Sequence, residues 1–134
     1  MYLLDTNILL EVLLDQEKAD DVEKLLRGGM VTGFHLTNFS FYSTGIRLFR
    51  EKRFDLFTRV VDDIIGRGSF QVVGLAMTDM AALADVSRQY RLDFDDAYQY
   101  VAAKKHDLML VSFDADFDRT ARGRKTPAEI LKTL

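Results

Sequence analysis

The sequence predicts an α/β protein of three layers, a central parallel sheet flanked on both faces by helices, in one domain spanning residues 1–134. Short apolar runs at Tyr2–Leu4, Met30–Thr37, Phe70–Leu75 and Leu108–Ser112 alternate with stretches whose apolar residues recur at helical spacing. Strands separated by helices of this length pair in parallel through right-handed crossovers. Acidic turns follow the first and last runs, at the sheet edge where open α/β folds hold their ligands.

The elements follow in order. Tyr2–Leu4 is too short for a helix of its own, and Ile8, Leu9, Val12 and Leu13 then show helical spacing, so a buried strand turns directly into a helix at Asp5. Thr6 and Asn7 suit a first helical turn. From Asp15 to Arg27, Ala19, Val22, Leu25 and Leu26 line one side of a surface helix that Gly28-Gly29 ends. Met30–Thr37 reads as the second strand, interrupted by Gly33. Thr37 and Asn38 cap an aromatic helix running through Phe39, Tyr42, Ile46 and Phe49. A helix from Glu51 presents Phe54, Phe57, Val61, Ile64 and Ile65 and stops at Gly66 and Gly68. Phe70–Leu75 is the third strand, and Thr78 is a cap for an Ala-rich helix ending near Tyr90. A helix from Asp95 to about His106 puts Ala97, Tyr100, Val101 and the stem of Lys104 inward. Leu108–Ser112 is the fourth strand. Thr126 before Pro127 marks a last short helix.

Composition narrows the function. A chain with 48% hydrophobic and 29% charged residues is globular, and 134 residues suffice for a core without disulfide or metal staples. It has no cysteine, which removes zinc–thiolate chemistry and suits a reducing compartment. No apolar run approaches the roughly 18 residues of a membrane span, and no secretory leader pattern opens the sequence, so a cytoplasmic protein is expected. The net charge of −3 argues against a nucleic-acid binder that works through a basic surface alone.

Asp5 follows the first strand, Asp114 and Asp116 follow the last, and Asp95-Asp96 opens the helix that feeds the last strand. In a parallel sheet these strand ends share one edge, so carboxylates far apart in sequence can converge. Oxygen-only ligand sets suit Mg²⁺ or Mn²⁺, which polarise phosphodiesters and the water that attacks them. The bland alternatives are helix-dipole partners for Asp95 or Asp96, a capping or loop role for Asp93, and solvated turn positions for Asp116 and Asp118.

Taken together these residues resemble the PIN domain, and within it the small VapC-type toxin ribonucleases. Tyr2-Leu-Leu-Asp5-Thr-Asn7 resembles the first family motif, Asp96-Ala97 within Leu92-Asp-Phe-Asp-Asp-Ala97 the third, and Leu110-Val-Ser-Phe-Asp114-Ala-Asp-Phe117 the fourth. The resemblance implies metal-dependent RNA cleavage with Asp5, Asp96 and Asp114 as catalytic residues and ligands of Mg²⁺ or Mn²⁺. It also implies a homodimer and a cognate antitoxin. Supporting roles fall to Thr6 and Asn7 beside Asp5, and to Ser112, which holds the family's usual hydroxyl two residues before the last acid.

The chain departs from the family at the second motif. Alignment of Thr37-Asn-Phe-Ser-Phe-Tyr-Ser-Thr-Gly45 puts Ser43 where the family has glutamate, and no acid occurs between Glu23 and Glu51. Serine brings no charge to a cation, so Asp116 or Asp95 would have to compensate. The competing reading is therefore a PIN-like module that binds RNA or protein with weakened or lost catalysis. An aspartyl-phosphate hydrolase is a third, disfavoured because Asn7 stands where that chemistry wants a second acid.

His35 and His106 lack partner spacing and read as structural. Arg47, Arg50, Lys52 and Arg53, and Arg119, Arg122, Arg124 and Lys125, read chiefly as solvated surface with RNA contact as the alternative. Phe39, Phe41, Tyr42, Phe49, Phe54 and Phe57 read as core before interface, but Phe41 and Tyr42 neighbour inward positions, leaving some aromatic surface for a dimer or antitoxin partner.

Overall fold

The computed structural model describes residues 1–28, 33–66 and 68–133. Its elements are β1 (Tyr2–Leu4), α1 (Thr6–Leu13), α2 (Ala19–Gly28), β2 (Phe34–Thr37), α3 (Asn38–Arg50), α4 (Phe54–Ile65), β3 (Phe70–Val73), α5 (Met80–Tyr90), α6 (Phe94–Lys105), β4 (Met109–Val111) and α7 (Pro127–Leu131). Single 3₁₀ segments lie at Met77–Asp79 and Ala115–Arg119. The strands are all parallel, in the order β3-β2-β1-β4. The chain thus builds outward from β1 through β2 to β3, then returns to lay β4 on the other side of β1. That reversal opens a crevice at the carboxyl ends of β1 and β4.

Alternate residues of each strand point to opposite faces, and the two cores follow from this. Leu3 and Leu110 pack against Leu83 of α5, Ala97 and Val101 of α6, and the fully buried Phe117. Leu4, Leu36 and Val111 pack on the other face against Ile8 and Leu9 of α1, Val22 and Leu25 of α2, and Ile130 of α7. The result is the three-layer α/β/α sandwich that the alternation of elements predicts.

Several local expectations shift. Residues 30–32 of the second strand reading, and Gly29 of the helix-stop reading, lie outside the described residues; the described strand begins at Phe34. The helix read from Asp15 starts at Ala19, because Asp15 takes a left-handed conformation (φ 51°) that separates α1 from α2. Thr78 is not a cap: it lies inside the 3₁₀ segment, where Asp79 Oδ2 accepts from the Ala76 amide at 2.7 Å. Thr37 does cap α3, its hydroxyl accepting from the Ser40 amide at 2.9 Å. Thr126 and Glu129 form a reciprocal capping box with Pro127 at the start of α7.

The apolar residues of α3 turn outward more than a core reading expects, although Phe39 packs against the core around Leu3. Ser40, Thr44, Gly45 and Leu48 are buried, whereas Tyr42, Ile46 and Phe49 are 64%, 60% and 51% exposed. Small residues face inward because α4 packs closely: a Cβ at Gly45 would lie 3.1 Å from the Phe57 ring. In α4 the buried residues are Leu56 and Val60, while Phe54 and Ile65 are exposed. Helix α6 is buried on most of its circumference, from Ala97 to Ala103, since it lies between the sheet and α5; Lys104, read as turned inward, is exposed.

Candidate functional site

Asp5 ends β1 and caps α1. Its carboxylate is 6% exposed and holds three donors: the Thr6 amide (2.8 Å) and Gln99 Nε2 (3.0 Å) on Oδ1, and Ser112 Oγ (2.7 Å) on Oδ2. An ionised carboxylate offers about four acceptor positions, so a single one, on Oδ2, is left for a ligand. Burial pushes the Asp5 carboxyl above its usual range, against the pull of the hydrogen bonds from Ser112, Gln99 and Thr6, and the nearby Asp114 adds to the rise.

Ser112 ties the two strand ends together. Besides donating to Asp5, its hydroxyl accepts from the Asp114 amide at 2.9 Å and from Asn7 Nδ2 at 3.3 Å. Asn7 Oδ1 in turn accepts from the Phe113 amide at 3.4 Å. Thr6 Oγ1 lies 2.8 Å from Ser40 Oγ, coupling the start of α1 to α3. Thr6, Asn7 and Ser112 therefore brace Asp5 and the turn carrying Asp114.

Asp96 lies in the first turn of α6, half-buried, and its carboxyl is pushed up to about 8. Burial is the leading cause, followed by the charges of Asp114, Asp5 and Asp93, and a hydrogen bond with Asp114 keeps the proton on Asp96. Asp114 caps the 3₁₀ segment through the Asp116 amide (2.8 Å). Asp96, Asp114 and Asp116 each offer one oxygen, and these lie within 4.8 Å of one another. Asp116 also receives Arg119 Nη1 at 3.0 Å. Asp5 lies beside this trio, with most of its acceptor capacity already used by protein donors.

One cavity of about 240 Å³ brings the sequence-derived residues together. It is lined by Asp5, Thr6, Asn7, Ser43, Asp95, Asp96 and Asp114, with Leu10, Phe39 and Gln99. Ser43 thus occupies the cavity wall from α3, the position at which the second motif was aligned, and it brings a hydroxyl where an acid was looked for. None of the lining residues is basic, and the crowding of acids is what raises the Asp96 carboxyl along with its burial. Oxygen donors on a lining without a cation, with Arg119 pairing only with Asp116 at its margin, fit a hard divalent ion.

Gln99 escaped the sequence reading. It is 1% exposed; Nε2 donates to Asp5 Oδ1 and to Ser40 Oγ (2.5 Å), and Oε1 accepts from Thr37 Oγ1 at 2.8 Å. One amide therefore pins α6, one turn beyond Asp96, to the end of β1 and to the start of α3. No local motif marks it; the only hint was a long polar side chain among Ala97, Tyr100 and Val101 on a buried helix.

The basic runs divide. Arg119 donates to the carbonyls of Tyr90 (3.0 Å) and Arg91 (2.6 Å), Arg122 to Leu108 (3.1 Å) and Arg124 to Ser112 (3.1 Å), so the later run secures backbone at the end of α5 and along β4. In the earlier run Arg47 pairs with Glu51 and Arg53 with Asp55. His106 closes α6, its Nε2 3.2 Å from the Gly74 carbonyl, and His35 is buried in β2, its Nδ1 without a partner among the described residues.

Solved structures of the same architecture exist. A chain in a toxin–antitoxin complex from Klebsiella pneumoniae matches with TM-score 0.74 at 19% identity, over 95% of this chain and 98% of its own. FitAcB from Neisseria gonorrhoeae matches with TM-score 0.74 at 20% identity, over 96% and 99%. FitAB bound to an IR36 DNA fragment matches with TM-score 0.75 at 18% identity, over 95% of each chain. At these identities the likeness is one of fold. No curated protein matches the chain by sequence. The family model of the PIN domain, however, matches residues 2–123, from β1 past the turn that carries Asp114 and Asp116, and the chain belongs to the PIN domain family.

Proposed function

We propose that the chain is a divalent-cation-dependent endoribonuclease, acting in the cytoplasm as the toxin of a toxin–antitoxin pair. The observation that carries this reading is the cavity at the β1/β4 crevice, where Asp5, Asp96 and Asp114 line one wall system with no basic residue among them. Membership of the PIN family supports nuclease chemistry, and the fold shared with a chain from a toxin–antitoxin complex supports the partner.

Asp96 and Asp114, with Asp116 close by and the open Oδ2 position of Asp5 beside them, would hold Mg²⁺ or Mn²⁺. Such an ion supplies charge neutralisation to a phosphodiester and acidity to its attacking water. The chain's own residues do the rest. Asp96 would have to be ionised to hold the ion, Ser112 and Gln99 fix the Asp5 carboxylate in orientation, and Asn7 keeps the Phe113–Asp114 turn against α1. The exposed Tyr42, Ile46 and Phe49 on α3 offer apolar surface to a second copy or to the antitoxin.

Ser43 favours a second reading, a binding module with weakened catalysis. Calorimetric Mn²⁺ titration and cleavage of single-stranded RNA separate the two. Wild type is expected to bind Mn²⁺ and cleave, and Asp114→Asn to lose both, with cleavage down at least a hundredfold. Equal cleavage by the variant would refute the proposed centre; Mn²⁺ binding without cleavage would favour the module.

A further inference from the structure

Beside the acidic cavity stands an aromatic shelf that the proposed chemistry leaves unused. Tyr98 is buried, and its hydroxyl is held at both ends, donating to Asn38 Oδ1 at 2.7 Å and accepting from the Leu75 amide at 3.0 Å. Phe39 stacks on this anchored ring, with centroids 5.3 Å apart and planes inclined at 30°. Phe94 closes the group, 5.8 Å from Phe39 and 6.2 Å from Tyr98. Its ring is nevertheless 51% exposed. Two features tie the shelf to the cavity: Phe39 lines both, and Phe94 precedes Asp95 and Asp96, which line the cavity, along the first turn of α6.

A half-exposed aromatic ring costs free energy in water, and core packing does not require this one, since Phe39 and Tyr98 already fill the space beneath it. Single-stranded nucleic acid is held by just this pairing of a phosphate-binding centre with a preordered π-face, because every base presents a face that stacks. A base inside a duplex has both faces covered, so the shelf can serve only an unpaired one.

We propose that Phe94, braced by Phe39 and Tyr98, is a stacking subsite for an unpaired RNA base next to the phosphate bound at the acidic cavity. This rests on the nuclease reading above and narrows it: the cleaved phosphate lies in a single strand or loop, and sequence preference at the stacked position is weak.

The test is a coupling measurement. Binding of a short single-stranded oligoribonucleotide is followed by fluorescence anisotropy in Ca²⁺ for wild type, Phe94→Leu and Phe94→Tyr, with the intact strand and with strands made abasic at one position at a time. Phe94→Leu is expected to weaken binding about tenfold while Phe94→Tyr keeps it. One abasic position should weaken wild type by a similar factor and leave Phe94→Leu unaffected. Equal binding by Phe94→Leu and wild type, or an abasic penalty undiminished in Phe94→Leu, would overturn the subsite, as would a Phe94→Leu effect confined to association between protein chains. Cleavage in Mn²⁺ is measured in parallel. Coupling without cleavage leaves the subsite standing and removes the nuclease reading; cleavage without coupling removes the subsite alone; no RNA binding by wild type removes both.

Discussion

Replacing Gln99 by leucine tests how the site is held together. Leucine is close to glutamine in volume, so the change leaves little cavity and acts mainly through hydrogen bonds. It removes the donor to Asp5 Oδ1, the donor to Ser40 Oγ and the acceptor of Thr37 Oγ1. Ser40 keeps Thr6 as a partner, and Asp5 keeps Thr6 and Ser112. The Thr37 hydroxyl, fully buried, is left with its proton unpaired, which costs about 1–3 kcal/mol. The lost bond to the Asp5 carboxylate adds a similar amount, and burial of an apolar side chain in place of an amide offsets part of it. A net loss of about 2–3 kcal/mol is expected. At roughly 2.1 cal/mol/K of unfolding entropy per residue, that lowers the melting temperature by about 9 °C. Differential scanning calorimetry without metal reads this directly, and the rise in melting temperature on adding Mn²⁺ reads the site; Gln99→Leu should shrink that rise. A melting temperature within about 2 °C of wild type, with the Mn²⁺ response intact, would refute the view that this amide holds Asp5 against α6.

Ser43→Glu should raise Mn²⁺ affinity at least tenfold in calorimetric titration and raise the cleavage rate, because a carboxylate enters the cavity wall from α3; unchanged affinity would place the side chain out of reach of the ion. The same change should lower metal-free stability at neutral pH, since a further acid enters a cavity without basic neighbours. The stability of the metal-free protein should also depend on Asp96. Its folded pKa, pushed up to about 8, exceeds the unfolded value, so the folded state binds the extra proton and stability falls as pH rises from about 4 to about 8. Asp96→Asn should flatten that slope in melting curves taken across the window, and an unchanged slope would assign the proton elsewhere.

What could be read in advance was whatever local grammar marks. Strand-to-helix turns announce themselves through a capping acid or hydroxyl, and Asp5, Asp114, Thr37 and the Thr126–Glu129 box all sit where such signals put them. The order of short apolar runs sufficed for a parallel sheet. Helix faces were harder. On α3 the inward residues are Leu48 and the small Ser40, Thr44 and Gly45, so hydrophobicity alone points to the solvent side; close approach of α4 and hydrogen bonding of Ser40 to α1 and α6 help decide that face. Gln99 was invisible for a related reason. Its partners lie 94, 59 and 62 residues away in sequence, and nothing local distinguishes a buried amide that clamps a carboxylate from one that faces solvent.

The same contacts account for a PIN domain with serine on the α3 wall. Carboxylates gathered at a strand crevice repel one another, and without cations nearby the folded chain must lower their charge by other means. Here the Asp96 carboxyl is pushed up to about 8, which favours its neutral form, and neutral donors from Thr6, Gln99 and Ser112 surround Asp5. A divalent ion relieves the same repulsion more completely, so metal binding and proton release are two sides of one equilibrium. An acid at position 43 would shift that balance toward the ion at the expense of the empty fold. Serine would shift it the other way, leaving the metal-free protein with less repulsion and moving ion occupancy to higher cation concentration. On the proposed reading, the strength of ion binding is the quantity that the α3 wall would set, while the three donors on Asp5 hold its carboxylate in place before any ion enters.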